Sequence, residues 1–371
     1  MKRKIDLITI TAGVMVVVML MAAFIIVPDK NFSHKENRSL STAPKFSVKG
    51  LFSGEYTSDL AEYISDQFVL RDEFVAVKAY CELIQGKCEN NGVIYAENDT
   101  LIAKNVITEN VMQQNLETVK QFEKQTGVSV FLGILPRSVD VFAERLPDTY
   151  PNQNNDILWQ KLYASANTLK ITAPNLYEPL CEGNNYYRTD HHYTSMGAYQ
   201  TYRLLGDTIG YKAKSTDFFE QEIVSRDFCG TSMRTSGFYF AKKDKITLFR
   251  YDDDNTYKIT ADGKNINLYD MSSLKNTDQY AVFLGGNHAR VDITRNDKNR
   301  QKLLVVRDSF ADSLAPFLAI HYDLIMLDLR YYTESAAQLV KDEKIEKVLI
   351  LESIDEFATS KNISYLRKGL Q

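Results

Sequence analysis

Two histidines lie beside a carboxylate in residues 188–199, which read RTDHHYTSMGAY. In an extended backbone successive side chains alternate between faces, so Asp190 and His192 are predicted to point one way and His191 the other. An imidazole next to an acid that fixes its tautomer and stabilises its protonated form can act as a general base. The pattern therefore indicates nucleophilic chemistry and predicts a nucleophile elsewhere in the chain.

A candidate nucleophile follows an apolar run near the end of the chain. Residues 303–307 (LLVVR) have the character of a buried strand, Ser309 comes shortly after it, and residues 314–321 are predicted to form a helix. Near a helix N-terminus, backbone N–H groups and the helix dipole favour developing negative charge. Asp-Ser is a common dipeptide, so the prediction of a catalytic triad from Asp190, His192 and Ser309 depends on this context.

A metal site built from Asp190, His191 and His192 is an alternative interpretation. Consecutive histidines point apart in an extended chain and so rarely serve one ion, and no further motif at ligand spacing accompanies them. We therefore predict no metal and no cofactor, and we expect His191 to support the loop from outside the triad.

The elements that position these residues follow the order of an α/β fold. Buried-strand patterns lie at 128–135, 303–307, 324–330 and 347–353, with helical patterns between them. Strand–helix–strand order predicts a parallel sheet flanked by helices, with its site at the carboxyl ends of the strands. Further helices are predicted at 56–85 (two segments split near 69–72), 105–125, 158–169, 333–343 and after Thr194 or Ser195, with a short strand at 172–177. Alternation and turns between about residues 215 and 285 predict a β-rich insertion.

Residues 7–27 form one long apolar run, preceded by Lys2, Arg3 and Lys4. As a helix the run would cross about 30 Å, the hydrocarbon thickness of a bilayer, with the N-terminus in the cytoplasm. An uncleaved anchor is favoured over a cleaved signal peptide because the run exceeds the usual ~7–15 residues and no small-x-small site follows. We expect residues 1–28 to be a cytoplasmic tip and anchor, 29–85 a stalk and helical lead-in, and 86–371 an extracytoplasmic domain of a single-pass cell-membrane protein.

Composition excludes one class of partner and leaves one question open. The 371 residues are 44% hydrophobic with a net charge of −4, so no basic surplus is available for nucleic acid. Cys81, Cys88, Cys181 and Cys229 permit disulfides in a chain that faces outward, and Cys81 and Cys88 could close a short loop. Four buried thiols are an equally favoured alternative.

Several motifs together resemble the DHHW family of bacterial cell-surface proteins, which is similar to the SGNH hydrolase-like proteins of alginate O-acetylation. The resemblance rests on residues 189–193 (TDHHY), 285–288 (GGNH), 306–310 (VRDSF) and 328–332 (DLRYY), with earlier blocks at 36–38, 66–68, 71–72 and 91–92. It implies an SGNH hydrolase-like domain, a triad in the permuted order Asp190, His192, Ser309, and an acetyl group carried transiently on the serine.

Three positions bear on the oxyanion and substrate-binding part of such a site. Tyr193 replaces the tryptophan of the family name and keeps an aromatic wall of different size. Arg307 stands where SGNH enzymes usually have glycine before Asp-Ser, and so is expected to reshape the oxyanion site. Asn287 is the candidate oxyanion-stabilising side chain, with an Asx turn after Gly285 and Gly286 as the alternative.

The function predicted from these residues is that of an enzyme. It would be a membrane-anchored serine O-acyltransferase, transferring acetyl, or an esterase, acting on cell-envelope or secreted polysaccharide. A transferase of this family implies a polytopic membrane acyltransferase as the source of acetyl groups. A catalytically inactive glycan-binding or assembly module is the alternative, which the 22 tyrosines would suit.

Overall fold

A computed structural model describes residues 2–33, 38–104, 107–148, 150, 155–297 and 299–369. The chain divides into two compact units, one of Met1–Asn90 with Arg234–Tyr239 and the other of Asn91–Met233 with Phe240–Gln371. Part of the predicted block at 36–38 and the predicted helix start at Asn105 lie outside the described residues.

The first unit begins with α1, Lys2–Ile26, a 25-residue helix. Within it, Asp6–Ile26 has a mean hydropathy of 2.6, and among the described residues it is the one helix long and apolar enough to cross a membrane. The predicted helix over 7–27 is therefore present in the protein, and a single-pass anchor fits its length and composition.

Three further helices and three short strands complete the first unit. They are α2 (Val48–Ser53), α3 (Glu55–Gln67), α4 (Arg71–Ile84), β1 (Phe32–Ser33), β2 (Arg38–Ser39) and β3 (Glu89–Asn90). The break between α3 and α4 falls at Leu70, whose φ of 60° ends one helix before the next begins, as predicted. Asp66 and Gln67 at the end of α3 bind the backbone of Ser41, so this stretch of the predicted stalk is fastened to a helix.

The second unit is organised around a seven-stranded sheet. The strands of this unit are β4 (Val93–Ala96), β5 (Thr100–Ala103), β6 (Ser129–Leu135), β7 (Glu220–Phe228), β8 (Asp244–Arg250), β9 (Lys258–Ala261), β10 (Lys264–Asn265), β11 (Arg290–Thr294), β12 (Lys302–Arg307), β13 (Asp323–Leu327) and β14 (Lys347–Ser353). The order in the sheet is β10-β9-β11-β13-β12-β14-β6. Strands β13, β12, β14 and β6 are parallel, whereas β11, β9 and β10 extend the sheet with antiparallel neighbours.

Helices cover both faces of this sheet, because its central strands are apolar on both sides. Leu303 and Val305 of β12 lie in the core on one face, and Leu304 and Val306 lie in the core on the other. The helices are α5 (Glu109–Thr126), α6 (Ser138–Val141), α7 (Asn155–Thr168), α8 (Tyr177–Cys181), α9 (Ser195–Ile209), α11 (Phe310–Leu318), α12 (Ala336–Asp342) and α13 (Ile354–Thr359), while α10 (Thr231–Ser236) crosses the boundary between the units. The predicted α/β class and helix-flanked sheet are confirmed.

The predicted β-rich stretch at about 215–285 contains the strands β7 to β10. Strands β7 and β8 pair with each other, whereas β9 and β10 join the main sheet. The predicted strand at 172–177 is reduced to one bridge between Thr172 and Phe131, because Pro174 has no N–H to continue the ladder.

Candidate active site

The acid and the imidazole of the site come from one bent loop before α9. Asp190 Oδ1 accepts the backbone N–H of His192 at 3.0 Å and lies 2.6 Å from His192 Nδ1. A carboxylate that hydrogen-bonds the N–H two residues ahead forms an Asx turn, and here the turn also aims the imidazole. Asp190 and His192 are therefore brought together by a turn of the backbone rather than by an extended strand.

Ser309 completes a continuous hydrogen-bonded chain with these two residues. Its Oγ lies 2.8 Å from His192 Nε2, across a sequence separation of 117 residues. An ionised carboxylate only accepts hydrogen bonds, so Nδ1 carries the imidazole proton and Nε2 is left to accept the serine hydroxyl. The arrangement can remove a proton from Ser309 as that oxygen attacks an electrophile.

The position of Ser309 follows from the end of β12 and the start of α11. The carboxylate of the preceding Asp308 accepts N–H groups of Phe310, at 3.0 Å, and of Ser353 at the end of β14, at 2.7 Å. These bonds brace the turn between strand and helix. Ser309 is half-buried at the helix N-terminus, where developing negative charge on a bound carbonyl is favoured.

The acid is held from a third segment. Asp190 Oδ2 accepts the backbone N–H of Thr231 at 2.6 Å. The residue before it, Gly230, approaches so closely that a Cβ there would collide with Asp190 Cβ and Thr189 O. Thr189 is in turn fixed by Asp244, which accepts its N–H at 2.8 Å and its hydroxyl at 2.7 Å.

Electrostatics keep Asp190 ionised. Burial by itself would raise the pKa of this carboxyl, but the nearby imidazoles of His191 and His192 and the hydrogen bonds from His192 and Thr231 oppose burial. Together they hold the pKa of Asp190 well below its usual range. The acid therefore stays a hydrogen-bond acceptor for the imidazole in neutral solution.

Three aromatic rings pack against the His192 imidazole, and one of them is Phe310, with ring centroids 4.8 Å apart. Tyr280 is stacked on it, with ring centroids 3.9 Å apart and planes 7° apart, and the His191 ring centroid is also 3.9 Å away. The Tyr280 hydroxyl donates to Ser309 O at 3.3 Å and lies 3.0 Å from Ser313 Oγ. Tyr280 thus contacts both the His192 ring and the Ser309 backbone, and sequence patterns do not indicate this position.

The prediction that His191 points away from the pair is wrong. Its Nδ1 lies 3.7 Å from Asp190 Oδ1, and potential ligand atoms of Asp190, His191 and His192 lie within 4.8 Å of one another, because the loop is bent. This group could hold a metal ion. Both oxygens of Asp190 and both ring nitrogens of His192 already have partners, however, so an ion would compete with the hydrogen-bonded chain.

Three other predicted residues lie outside this chain. Tyr193 is buried, and its hydroxyl donates to Phe310 O at 2.7 Å, so it positions the start of α11. Arg307 is also buried, and its Nη1 lies 2.9 Å from Asp312 Oδ1. Burial corrects the prediction that Tyr193 and Arg307 contact a substrate. Asn287 is exposed, and no hydrogen bond among the described residues joins it to Ser309.

A second set of charged residues lies beside Ser309, and we call it the ion cluster. It has four acids and two arginines, all buried except for the partly exposed Arg330: Arg307, Asp308, Asp312, Asp328, Arg330 and Glu352. Burial raises the pKa of Asp312 to about 7, with nearby Asp328 and Asp308 adding to the effect and Arg307 opposing it. Burial likewise raises the pKa of Glu352 well above its usual range. The surplus of acidic side chains is thus accommodated because Asp312 and Glu352 retain their protons.

No disulfide joins the four cysteines within the part of the chain that the structure describes; Cys81 is exposed, and Cys88, Cys181 and Cys229 are half-buried. Neither predicted state, disulfide-paired or fully buried, therefore describes them.

Comparison with known proteins matches this arrangement to a family. A family model described as DHHW protein covers residues 103–327, more than half of the 371-residue chain. A probable alginate O-acetylase, AlgJ of Pseudomonas putida, is 30% identical over 108 residues, which are 27% of this chain and only 28% of that relative's length.

Solved structures share the fold. A DHHW family protein of Eubacterium siraeum superposes with a TM-score of 0.63 at 20% identity, over 76% of this chain and 97% of that one. Bacillus cereus PatB1, solved with a sulfonyl adduct, gives a TM-score of 0.60 at 20% identity over 74% and 99%. With the family match spanning most of the sheet and every residue of the hydrogen-bonded chain, the protein belongs to the DHHW family.

Proposed function

We propose that this protein is a serine O-acetyltransferase that acts on a polysaccharide outside the cytoplasmic membrane. The observation that carries the proposal is the unbroken chain of hydrogen bonds from Asp190 through His192 to Ser309. Resemblance to an alginate O-acetylase supports acetyl as the group and a polysaccharide as the acceptor. The apolar helix α1 supports anchoring in the membrane with the second unit outside.

The reaction follows from the three side chains. Ser309 Oγ would attack the carbonyl carbon of an acetyl donor while its proton passes to His192 Nε2, and Asp190 would stabilise the imidazolium. Return of that proton to the leaving group would give an acetyl ester on Ser309. A sugar hydroxyl would then lose its proton to His192 and attack the ester, which releases Ser309 and leaves the sugar acetylated.

Stabilisation of the tetrahedral intermediate is assigned to the N-terminus of α11. Ser309 is the residue before this helix, so a carbonyl attacked there develops its charge beside backbone N–H groups. Asn287 would serve only if its exposed loop closed over the bound donor. Acetyl donors made in the cytoplasm would have to reach the site through a polytopic membrane acyltransferase, the partner that we propose for the full reaction.

Mass spectrometry of the intact full-length protein in detergent tests the nucleophile. After incubation with an activated acetyl ester we expect a gain of one acetyl group, absent from Ser309→Ala and from protein pre-treated with a sulfonyl fluoride. The Ser309→Thr variant is the matched control, because it keeps a hydroxyl and should retain slow acetylation.

The outcomes separate the candidate functions. An acetyl adduct on wild type alone supports the transferase, and incubation of that adduct with alginate or other glycans then identifies the acceptor. An adduct of equal yield on Ser309→Ala contradicts the assignment of Ser309. No adduct on a folded wild-type protein would favour the glycan-binding module, which glycan affinity measurements would then examine.

A further inference from the structure

Helix α4 carries an apolar stripe that faces solvent. Phe74, Val77 and Ile84 have 47%, 57% and 85% of their surface exposed, and Cys81 is exposed too. Their spacing is three, four and three residues, so all four lie along one face of the helix. We call these four residues the α4 seam.

The opposite face of α4 is the one that packs within its own unit. Ala79 is fully buried. Ala76 lies so close to Gly237 that a Cβ on that glycine would be 3.1 Å from the Ala76 backbone. The seam is therefore not the core-facing side of an ordinary amphipathic helix. Phe74 packs edge-to-face on Phe68, with ring centroids 5.6 Å apart, and the seam as a whole is an exposed apolar surface on the side of α4 away from Ala76 and Ala79.

The spacing of the seam is that of a coiled coil. Alternating steps of three and four residues place Phe74 and Cys81 at a positions and Val77 and Ile84 at d positions of two heptads. Glu73 then occupies a g position and Lys78 the following e position. In a parallel pair of helices these two positions face each other across the interface, where opposite charges stabilise pairing.

We propose that α4 pairs in parallel with α4 of a second copy of this chain. The charges favour the parallel orientation. Parallel pairing sets Glu73 of each copy against Lys78 of the other, whereas antiparallel pairing sets Lys78 against Lys78. Lys78 is 54% exposed, and its ammonium group donates to Asn90 Oδ1 at 2.6 Å and lies 3.6 Å from Glu82 Oε2 of the same helix.

Two heptads form a weak coiled coil in free solution, where three or four are the usual minimum. Confinement of two copies to one membrane raises their effective concentration and makes a short seam sufficient. This step rests on the proposed anchoring by α1, while the seam itself is independent of the proposed chemistry. A lipid surface would cover apolar residues equally well, but it would gain nothing from a paired Glu73 and Lys78.

Thiol crosslinking in membranes tests the pairing. The full-length chain with Cys88, Cys181 and Cys229 changed to serine keeps one thiol, Cys81, at an a layer where two copies meet. Treatment of membranes from the expression host with a short bis-maleimide should give a covalent dimer. The same chain with Cys81→Ser and Cys88 restored is the matched control and should remain monomeric.

Charge reversal identifies the partner and the orientation. Glu73→Lys should lower dimer yield at least fivefold, because it faces Lys78 of the other copy, and the double variant Glu73→Lys/Lys78→Glu should recover most of it. Copies carrying Glu73→Lys and Lys78→Glu separately should crosslink to each other better than either does to itself. Acetylation of Ser309 in each variant reports that the protein is folded.

Two results would overturn the proposal. One is the absence of a Cys81-dependent dimer in membranes where Ser309 still reacts. The other is a dimer whose yield is indifferent to charge reversal, which would point to covering by lipid or a different protein. Loss of Ser309 acetylation alongside normal crosslinking would instead count against the proposed function alone.

Discussion

Two groups of polar and charged side chains lie at the end of β12, and they differ in how their hydrogen bonds are arranged. In the chain of Asp190, His192 and Ser309, each polar side-chain atom has at least one partner within 3.0 Å, and Ser309 is partly open to solvent. In the ion cluster four acids share two arginines, and among the described residues Arg307 Nε, Asp312 Oδ1 and Glu352 Oε2 have no aligned hydrogen-bond partner.

The contrast shows that ionisable side chains next to a nucleophile need not take part in its chemistry. A proton can move along the first group because its donors and acceptors alternate in a line. In the ion cluster the donors and acceptors do not alternate in a line, and Arg307 is buried. Asp312 and Glu352 retain their protons, which offsets the cluster's surplus of negative charge. Changes in the first group should therefore affect rate, and changes in the second should affect stability.

The largest effect should come from His192. His192→Ala removes the base, and we expect acetylation of Ser309 to slow by about 10³–10⁴-fold with little change in the free energy of unfolding. His191→Ala is the control, because that ring touches the base without bonding the nucleophile, and a loss below tenfold is expected. Initial acetylation rates measure both, and the reverse ranking would mean that His191 is the base.

In the ion cluster, Arg307→Met should lower the free energy of unfolding by about 3–5 kcal/mol, because buried acids lose their counter-charge. The acetylation rate per folded molecule should stay within about threefold. Urea unfolding gives the stability, and Arg330→Met serves for comparison, since its partly exposed side chain should cost less. A stable Arg307→Met protein with a slowed reaction would assign the arginine to the chemistry instead.

Asp312 links the ion cluster to pH. In the folded protein it keeps its proton up to about pH 7, whereas its usual pKa is 3.8. Between these values the folded state binds more protons, so the free energy of unfolding should fall as pH rises from about 4 to about 7.

Asp312→Asn cannot titrate, and we expect its fall in stability over that range to be smaller by about 3 kcal/mol. Urea unfolding of both proteins at several pH values measures the difference. Parallel curves for the two proteins would show that Asp312 ionises normally.

The smallest effect should be at Tyr280, which stacks on His192 and donates a hydrogen bond to Ser309 O. Tyr280→Leu removes both the stack on His192 and the hydroxyl, and we expect kcat to fall about tenfold with KM unchanged, because the buried ring cannot touch a glycan. Tyr280→Phe keeps the stack and should lose threefold or less. Steady-state kinetics with a soluble acetyl donor separate kcat from KM, and equal losses in the two variants would give the hydroxyl the main role.

Sequence patterns predict the scaffold better than the surroundings of the site. The runs at 128–135, 303–307 and 347–353 are apolar at successive positions, which is what strands buried on both faces require. The antiparallel strands β9, β10 and β11 lack that signal, because pairing direction is set by distant partners.

The site itself shows the same division. Asp190, His192 and Ser309 could be proposed from residue type and from the position of Ser309 after a strand. The alternation rule gives the wrong direction for the His191 side chain, because it applies to extended backbone and Asp190 instead forms a turn with the His192 N–H. Tyr280 lies in a short 3₁₀ segment with no periodicity, so only the packed fold shows its contact with the base.

The spacing of the hydrogen-bonded chain has a consequence for biogenesis. Asp190 and His192 find each other within one turn, but the bond to Ser309 closes a loop of 117 residues and requires a finished sheet. Until the sheet is complete, Asp190 and His192 are not yet joined to Ser309 in the folding chain. Covalent labelling of Ser309 would thus report a late step of folding, because Ser309 should react only after the last strands have joined the sheet.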